Sequence, residues 1–205
     1  MSSLKLPIDL STVRGFLETA EGELLHRVAA ELRHQAPAIE IGSYCGKSTV
    51  YLGLGCQRAG RTLFAVDHHR GSEEHQEGEL FHDPALADGS GAIDSFGEFR
   101  RTVAAAKLED TVVPVVTRSQ VFARAWSGPL SMLFIDGGHS LEAALTDYRC
   151  WSGFLTRGSI LAIHDVFPDP VAGGQAPVTV FRLALASGLF SEFAAANSLR
   201  ILQRL

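Results

Sequence analysis

Short apolar runs alternate along the chain with stretches whose apolar positions recur every three or four residues. Residues 37–42, 61–67 and 131–136 are such runs, and they have the length of buried strands. The stretch between 141 and 151 has helical spacing, with Leu141, Ala144, Leu145, Tyr148 and Trp151 on one face. Strands that alternate with helices predict a parallel sheet with helices on both faces.

The remaining apolar runs complete the predicted sheet. Residues 111–117 contain Pro114, which cannot donate to a strand ladder, so this strand is expected at a sheet edge. Residues 191–196 and 199–205 flank the turn Asn197-Ser198 and predict an antiparallel hairpin. The chain therefore predicts a doubly wound α/β fold of about seven strands.

Two segments differ from this alternation. Val13, Leu17 and Leu24 lie at helical spacing, which predicts an N-terminal helical segment over residues 1–35, bent or split at Gly22, before a main domain over 36–205. Residues 68–91 are polar and long for a loop inside a compact domain, so we expect them to form a lid over a site.

Composition narrows the class of protein. The 205 residues carry a net charge of −5, which argues against a nucleic-acid partner. No apolar run reaches the length of a membrane span, and the first residues lack the apolar core of a secretory signal. Three cysteines without CxxC spacing favour a reducing, cytoplasmic setting. The N-terminal helices could form a homodimer surface.

Two aspartates follow two of the apolar runs. Asp136 ends the run at 131–136, and Asp165 follows the run that begins at Gly158. Because the carboxyl ends of neighbouring parallel strands meet at one edge of a sheet, the two carboxylates are expected to point at one place. Oxygen ligands of this kind suit a hard divalent cation. His139, three residues after Asp136, could take a proton from a substrate there.

A glycine-rich turn joins the first strand to its helix. Residues 40–48 read EIGSYCGKS, which comes close to the phosphate-binding pattern GxxxxGK[ST] but is one residue short. Glu40, at the end of the strand, would also repel a triphosphate. Asp67 ends the second strand, where an acid can accept hydrogen bonds from ribose hydroxyls. A nucleoside that carries positive charge, such as S-adenosylmethionine, fits better than a nucleotide, and a P-loop hydrolase stays the alternative.

Four segments in this order resemble the class I S-adenosylmethionine-dependent methyltransferases: EIGSYCGKST, AVDHH, SMLFIDGGHS and AIHDVF. The resemblance covers the chain from about residue 36 to its end. It implies a single Rossmann-like domain with a mostly parallel seven-stranded sheet of order 3-2-1-4-5-7-6 and an antiparallel C-terminal hairpin. It also implies residues that bind S-adenosylmethionine: Glu40, Gly42, Ser43, Gly46, Ser48, Asp67, His68, Ser119, Gln120 and Asp136.

Within that group, the chain is similar to metal-dependent O-methyltransferases of the catechol and macrolide-sugar types. The resemblance implies a metal held by Asp136 and by the pair His164-Asp165, with His139 as the general base. Magnesium is the expected ion. An imidazole at 164, where the sugar enzymes carry a carboxylate, would favour manganese if it binds the ion, or it would orient a metal-bound water.

The acceptor is expected to be a small molecule or an oligosaccharide. The polar lid favours methylation of a sugar or glycoside hydroxyl. A catechol or other phenol is the alternative acceptor.

Overall fold

The computed structural model describes residues 4–72 and 83–205. Its strands form one seven-stranded sheet of order β3-β2-β1-β4-β5-β7-β6. The seven strands are β1 (Ala38–Ile41), β2 (Leu63–Asp67), β3 (Val112–Val116), β4 (Leu130–Ile135), β5 (Leu155–Ile163), β6 (Phe190–Ala196) and β7 (Leu199–Arg204).

The first five strands are parallel, and β7 pairs antiparallel with both β5 and β6. This confirms the predicted order and the C-terminal hairpin, whose turn residue Asn197 has φ 43°. Pro114 lies in the edge strand β3, as its missing N–H requires.

Helices cover both faces of the sheet. They are α1 (Thr19–Glu31), α2 (Lys47–Arg58), α3 (Phe96–Ala105), α4 (Ser119–Ala123), α5 (Leu141–Trp151) and α6 (Ala176–Ala186). Side chains alternate between the faces of a strand, so each strand feeds two cores. In β4, for example, Phe134 packs with the core of α1, α2 and α3, whereas Leu133 packs with that of α5 and α6. No helix in residues 4–72 or 83–205 has the length and apolar character to cross a membrane.

The N-terminal helix is shorter than the apolar spacing predicts. Residues 14–18 are not helical, and α1 begins at Thr19, where the Glu21 side chain accepts a hydrogen bond from the Glu18 N–H at 3.0 Å. Gly22 neither bends nor splits the helix. It is buried against α2, and a Cβ there would lie 2.2 Å from the ring of Tyr51. The glycine therefore permits close helix packing instead of a break.

The predicted lid over residues 68–91 lies partly outside the described residues, because 73–82 are not among them. The part that is described includes a 3₁₀ turn at Pro84–Leu86 and an isolated bridge between Ala87 and Ile93. Arg14, before α1, donates from Nε to Asp83 Oδ2 at 2.6 Å. The N-terminal segment therefore contacts the lid region at Asp83.

Candidate active site

A cavity of about 800 Å³ opens beyond the carboxyl ends of the parallel strands. It lies where open α/β sheets bind their ligands, next to β1 and β4 at the centre of the sheet. Eleven of the residues predicted for the site line it: Gly42, Ser43, Ser48, Asp67, His68, Ser119, Gln120, Asp136, His139, His164 and Asp165. Glu40 and Gly46 are not part of its lining.

The glycine-rich turn shapes one wall of the cavity. Gly42 has φ 83°, and a Cβ there would lie 2.1 Å from the backbone oxygen of Asp136, so only glycine lets the tips of β1 and β4 approach this closely. Gly46 has φ 91° and begins α2. The hydroxyl oxygen of Ser43 is buried without a hydrogen-bond partner although the residue lines the cavity. It is therefore available to a ligand.

Glu40 lies beneath this turn and not at the cavity surface. The residue is fully buried, and its two carboxylate oxygens accept hydrogen bonds from Ser48 Oγ and Thr49 Oγ1, both at 2.6 Å. Burial raises the pKa of Glu40 to about 8, although the two hydroxyls oppose the shift. The Glu40 side chain therefore holds the start of α2, and its assignment to the cofactor stays a prediction.

Asp67 holds the turn from the neighbouring strand. Its Oδ2 accepts from the backbone N–H groups of Ser43 and Tyr44, at 3.0 and 2.8 Å, and its Oδ1 accepts from that of His69 at 2.7 Å. A carboxylate oxygen can accept more than one hydrogen bond, so the fixed group can still receive hydroxyls from the cavity. His68 is exposed at the rim.

Ser119 and Gln120 line the cavity at the start of α4, and a buried polar group supports them. Ser119 Oγ donates to Asp147 Oδ1 at 2.5 Å and accepts from the Trp151 indole N–H at 3.1 Å. Asp147 also lines the cavity, and burial raises its pKa to about 6 against the opposing effect of Ser119. Asp147 was not predicted from the sequence, because an acid on an amphipathic helix is usually on its solvent face.

Three side chains that could bind a metal ion meet at the ends of β4 and β5. The register places Ile135 beside Ile163, so the residues that follow are neighbours. One ligand atom each from Asp136, His139 and Asp165 lie within 4.8 Å of one another. His139 Nε2 is 3.2 Å from Asp165 Oδ2. The proximity of the two carboxylates agrees with the sequence prediction, and His139 joins them as a third candidate ligand.

His164 is outside the cluster of three candidate ligands, and its assignment as a metal ligand stays a prediction. Its Nδ1 is 3.0 Å from Asp136 Oδ1, and its Nε2 is 2.9 Å from Glu21 Oε2. Burial alone would lower the pKa of His164, but the surrounding carboxylates outweigh it and raise the pKa far above its ordinary value. With Glu21 at one nitrogen and Asp136 and Asp165 at the other, the ring connects three carboxylates.

The backbone at Asp165 is strained. The residue has φ 55°, a left-handed conformation that costs a side-chain-bearing residue about 1–2 kcal/mol. Burial tends to raise the pKa of this carboxyl, but the contacts with His139 and His164 outweigh it and hold the pKa below its usual range. Asp165 is therefore an anion, and its strained backbone directs it toward the cavity edge.

The N-terminal segment supplies a wall that was not predicted from the sequence. Residues 14–17 line the cavity, and Lys47 donates from Nζ to the Gly15 carbonyl at 3.1 Å. Phe16 is 62% exposed and stacks on Tyr44, with ring centroids 6.4 Å apart. The apolar spacing around Phe16 suggested a helix face, and no local pattern shows that an extended segment crosses the cavity.

Solved structures share this fold across nearly the whole chain. Cofactor-bound Rv0187 from MTB is 15% identical, with a TM-score of 0.68, over 95% of this chain and 84% of its own. The O-methyltransferase NovP is 18% identical, with a TM-score of 0.67, over 89% and 78%. An O-methyltransferase from Bacillus cereus in complex with SAH is 16% identical, with a TM-score of 0.62, over 92% and 83%. At these identities the likeness concerns the fold.

Family membership follows from the sequence itself. The profile of a family described as "Methyltransferase domain" matches residues 39–166, more than half of the chain. The match runs from β1 to the residue after Asp165, and so contains the glycine-rich turn, Asp67 and the acidic cluster. It decides against the P-loop alternative. The chain belongs to the methyltransferase-domain family and is an enzyme of that family.

Proposed function

We propose that the protein transfers a methyl group from S-adenosylmethionine to a hydroxyl of a sugar or glycoside, with the help of a divalent cation. The observation that carries the proposal is the cluster of Asp136, His139 and Asp165 at the cavity, beside the glycine-rich turn. A hydroxyl is a weak acid and needs such a site, whereas the sulfonium already activates the methyl group.

The turn and Asp67 fit the cofactor. The Ser43 hydroxyl is buried and without a partner, and the Asp67 carboxylate is fixed by three backbone N–H groups at the cavity. An acid at the end of the second strand suits the two ribose hydroxyls. The comparison with an SAH-bound O-methyltransferase from Bacillus cereus supports the same ligand class.

The cluster fits a divalent cation. Asp136 and Asp165 offer oxygen atoms, and His139 offers a nitrogen, all within 4.8 Å. Two carboxylates suit Mg²⁺ or Mn²⁺, and use of the imidazole as a third ligand would favour Mn²⁺. When bound, the cation would lower the cost of removing the proton from the acceptor hydroxyl.

The chain's own residues would complete the transfer. The acceptor oxygen forms a bond to the methyl carbon while the carbon–sulfur bond breaks, and its electron pair stays on sulfur as S-adenosylhomocysteine. The hydroxyl proton passes to the imidazole of His139, whose Nε2 lies 3.2 Å from Asp165 Oδ2, and in this role the accepting nitrogen does not bind the cation. The cavity walls hold the two reactants in line.

A phenolic acceptor is the second candidate, and one observation favours it. Phe16 and Tyr44 stack at the cavity with an interplanar angle of 23° and offer an aromatic wall to a flat substrate. The proposed sugar acceptor can also pack a ring face there, so the wall alone does not choose between them.

Binding and transfer assays test the proposal. Calorimetry should show binding of S-adenosylhomocysteine and none of ATP. A panel of glycosides and catechols with labelled S-adenosylmethionine should show transfer to glycosides that EDTA abolishes and Mg²⁺ or Mn²⁺ restores. Asp136→Ala should lose the same activity, with no further loss on EDTA. Transfer that persists in EDTA would contradict the metal, and preferential transfer to catechols would select the second candidate.

A further inference from the structure

A buried acid from the N-terminal helix reaches the candidate active site. Glu21 on α1 is 1% exposed, and its Oε2 lies 2.9 Å from His164 Nε2. Its Oε1 accepts three hydrogen bonds from the β6–β7 turn: from the N–H and the hydroxyl of Ser198, at 2.9 and 2.8 Å, and from the N–H of Leu199 at 3.2 Å. Both oxygens of the Glu21 carboxylate therefore have hydrogen-bond partners, which hold the group in place.

His164 connects the Glu21 carboxylate to Asp136. The ring is 4% exposed, and its other nitrogen, Nδ1, lies 3.0 Å from Asp136 Oδ1 and 3.4 Å from Asp165 Oδ1. Two hydrogen bonds at opposite nitrogens fix both the tilt and the position of an imidazole. Asp136 is itself 21% exposed at the cavity, so His164 is the buried partner that determines where its carboxylate points.

We propose that Glu21 is a positioning residue of the methyl-transfer site, which holds His164 so that His164 orients Asp136 for the cation. The inference rests on the proposed function, since it concerns the same cluster. It adds a residue from α1, outside the matched family region at 39–166, to the machinery of the site. Groups that hydrogen-bond to a metal's ligands, as His164 does to Asp136, commonly change metal affinity by about 10–100-fold when they are lost or displaced, and Glu21 acts by holding His164 in place.

The alternative role for Glu21 is purely structural, as an anchor for the β6–β7 turn. The two oxygens of the carboxylate separate these roles, because Oε2 faces His164 and Oε1 faces Ser198. Ser198→Ala removes one turn contact and leaves the contact with His164. Glu21→Ala removes both, together with the contact from the Glu18 N–H, whereas Glu21→Gln keeps an amide oxygen that can accept from the ring N–H.

The test is Mn²⁺ affinity, measured by electron paramagnetic resonance in protein saturated with S-adenosylhomocysteine. We expect Glu21→Ala to bind Mn²⁺ about 10–100-fold more weakly than wild type. Glu21→Gln should recover most of the loss, and Ser198→Ala should stay within about twofold of wild type, well below that range. Affinity for S-adenosylhomocysteine should be similar in all four proteins.

A folded Glu21→Ala variant with wild-type Mn²⁺ affinity would overturn the proposal while leaving the metal site intact. Wild-type protein that binds no Mn²⁺ would overturn both this proposal and metal assistance. A measurement on wild type alone covers the case in which the variant does not fold. In protein with ¹⁵N-labelled histidine, the Nδ1 resonance of His164 should show no sign of metal coordination when Mg²⁺ is added. Coordination at Nδ1 would mean that His164 itself binds the ion and would refute the relay.

Discussion

At the scale of single residues, the exposure and the neighbours of the ionisable groups determine what each of them can do in the candidate site. Four side chains with acidic or imidazole groups, Asp136, His139, His164 and Asp165, follow β4 and β5 within a few residues of the strand ends. They differ sharply in exposure: His139 is 32% exposed at the cavity, whereas His164 is 4% exposed behind it. The exposed histidine can meet a substrate, and the buried one can act only through its neighbours.

Replacement of His139 by Ala removes the proposed base. We expect turnover to fall by roughly 10²–10⁴-fold, since the acceptor proton loses its receiver. Calorimetry should show unchanged affinity for S-adenosylhomocysteine, and manganese titration shows whether the imidazole is also a ligand. The matched control is His34→Ala, because that histidine is partly exposed and hydrogen-bonds to Thr156, away from the cavity. Normal turnover in His139→Ala would refute the assignment.

Asp147 makes stability depend on pH. Burial raises its pKa from 3.8 to about 6, so the unfolded chain ionises this carboxyl first as pH rises. The stabilisation of the folded state by the protonated Asp147 carboxyl is fully present below about pH 4 and is lost as pH rises through 6. The free energy of unfolding changes by about 3 kcal/mol over this range. Asp147→Asn keeps an acceptor for Ser119 and should remove this dependence.

Urea unfolding at intervals from pH 4 to pH 7 measures the effect. As pH rises, the free energy of unfolding of Asp147→Asn should increase relative to that of wild type. Glu142→Gln, which removes an exposed carboxylate from the same helix, should run parallel to wild type. Parallel curves for Asp147→Asn as well would show that Asp147 ionises normally in the folded protein.

At the scale of secondary-structure elements, close helix packing explains what sequence spacing alone could not. The strands β1, β2 and β4, and β5 from Gly158 onward, were predictable because their residues are largely buried and read as apolar runs, whereas the first residues of β5 include the exposed Thr156 and Arg157. The start of α1 was not. Val13 and Leu17 pack into the core from a non-helical segment, and so they imitate a helix face.

Gly22 and Gly97 form a matched pair for testing that packing. A Cβ at Gly22 would overlap the buried ring of Tyr51, so Gly22→Ala should lower the free energy of unfolding by about 1–3 kcal/mol. A Cβ at Gly97 in α3 would meet nothing nearer than 3.8 Å, and Gly97→Ala should raise it by up to about 1 kcal/mol. Urea unfolding measures both. Equal stabilities of the two variants would contradict the tight α1–α2 contact.

At the scale of the whole molecule, the sequence predicted the sheet and eleven of the residues that line the cavity, because both follow from the local order of the chain. A strand end carries its polar residue with it, so Asp67, Asp136 and Asp165 could be placed from strand order alone. The pairing of Glu21 with His164 joins residues 143 positions apart. Glu21 has the spacing of an ordinary surface acid on a helix, and only the packing of α1 beside the β6–β7 turn buries it.

The contact between Gly42 and the Asp136 backbone has a consequence for altering this enzyme. Any side chain at position 42 would displace the tip of β4, because the space is already filled by main-chain atoms. Under the proposed function, the cofactor side and the metal side of the cavity would therefore share this backbone contact, and a substitution at position 42 would affect both. Substitutions intended to change acceptor preference are better placed in residues 14–17, which line the same cavity but are not part of the tips of β1 and β4.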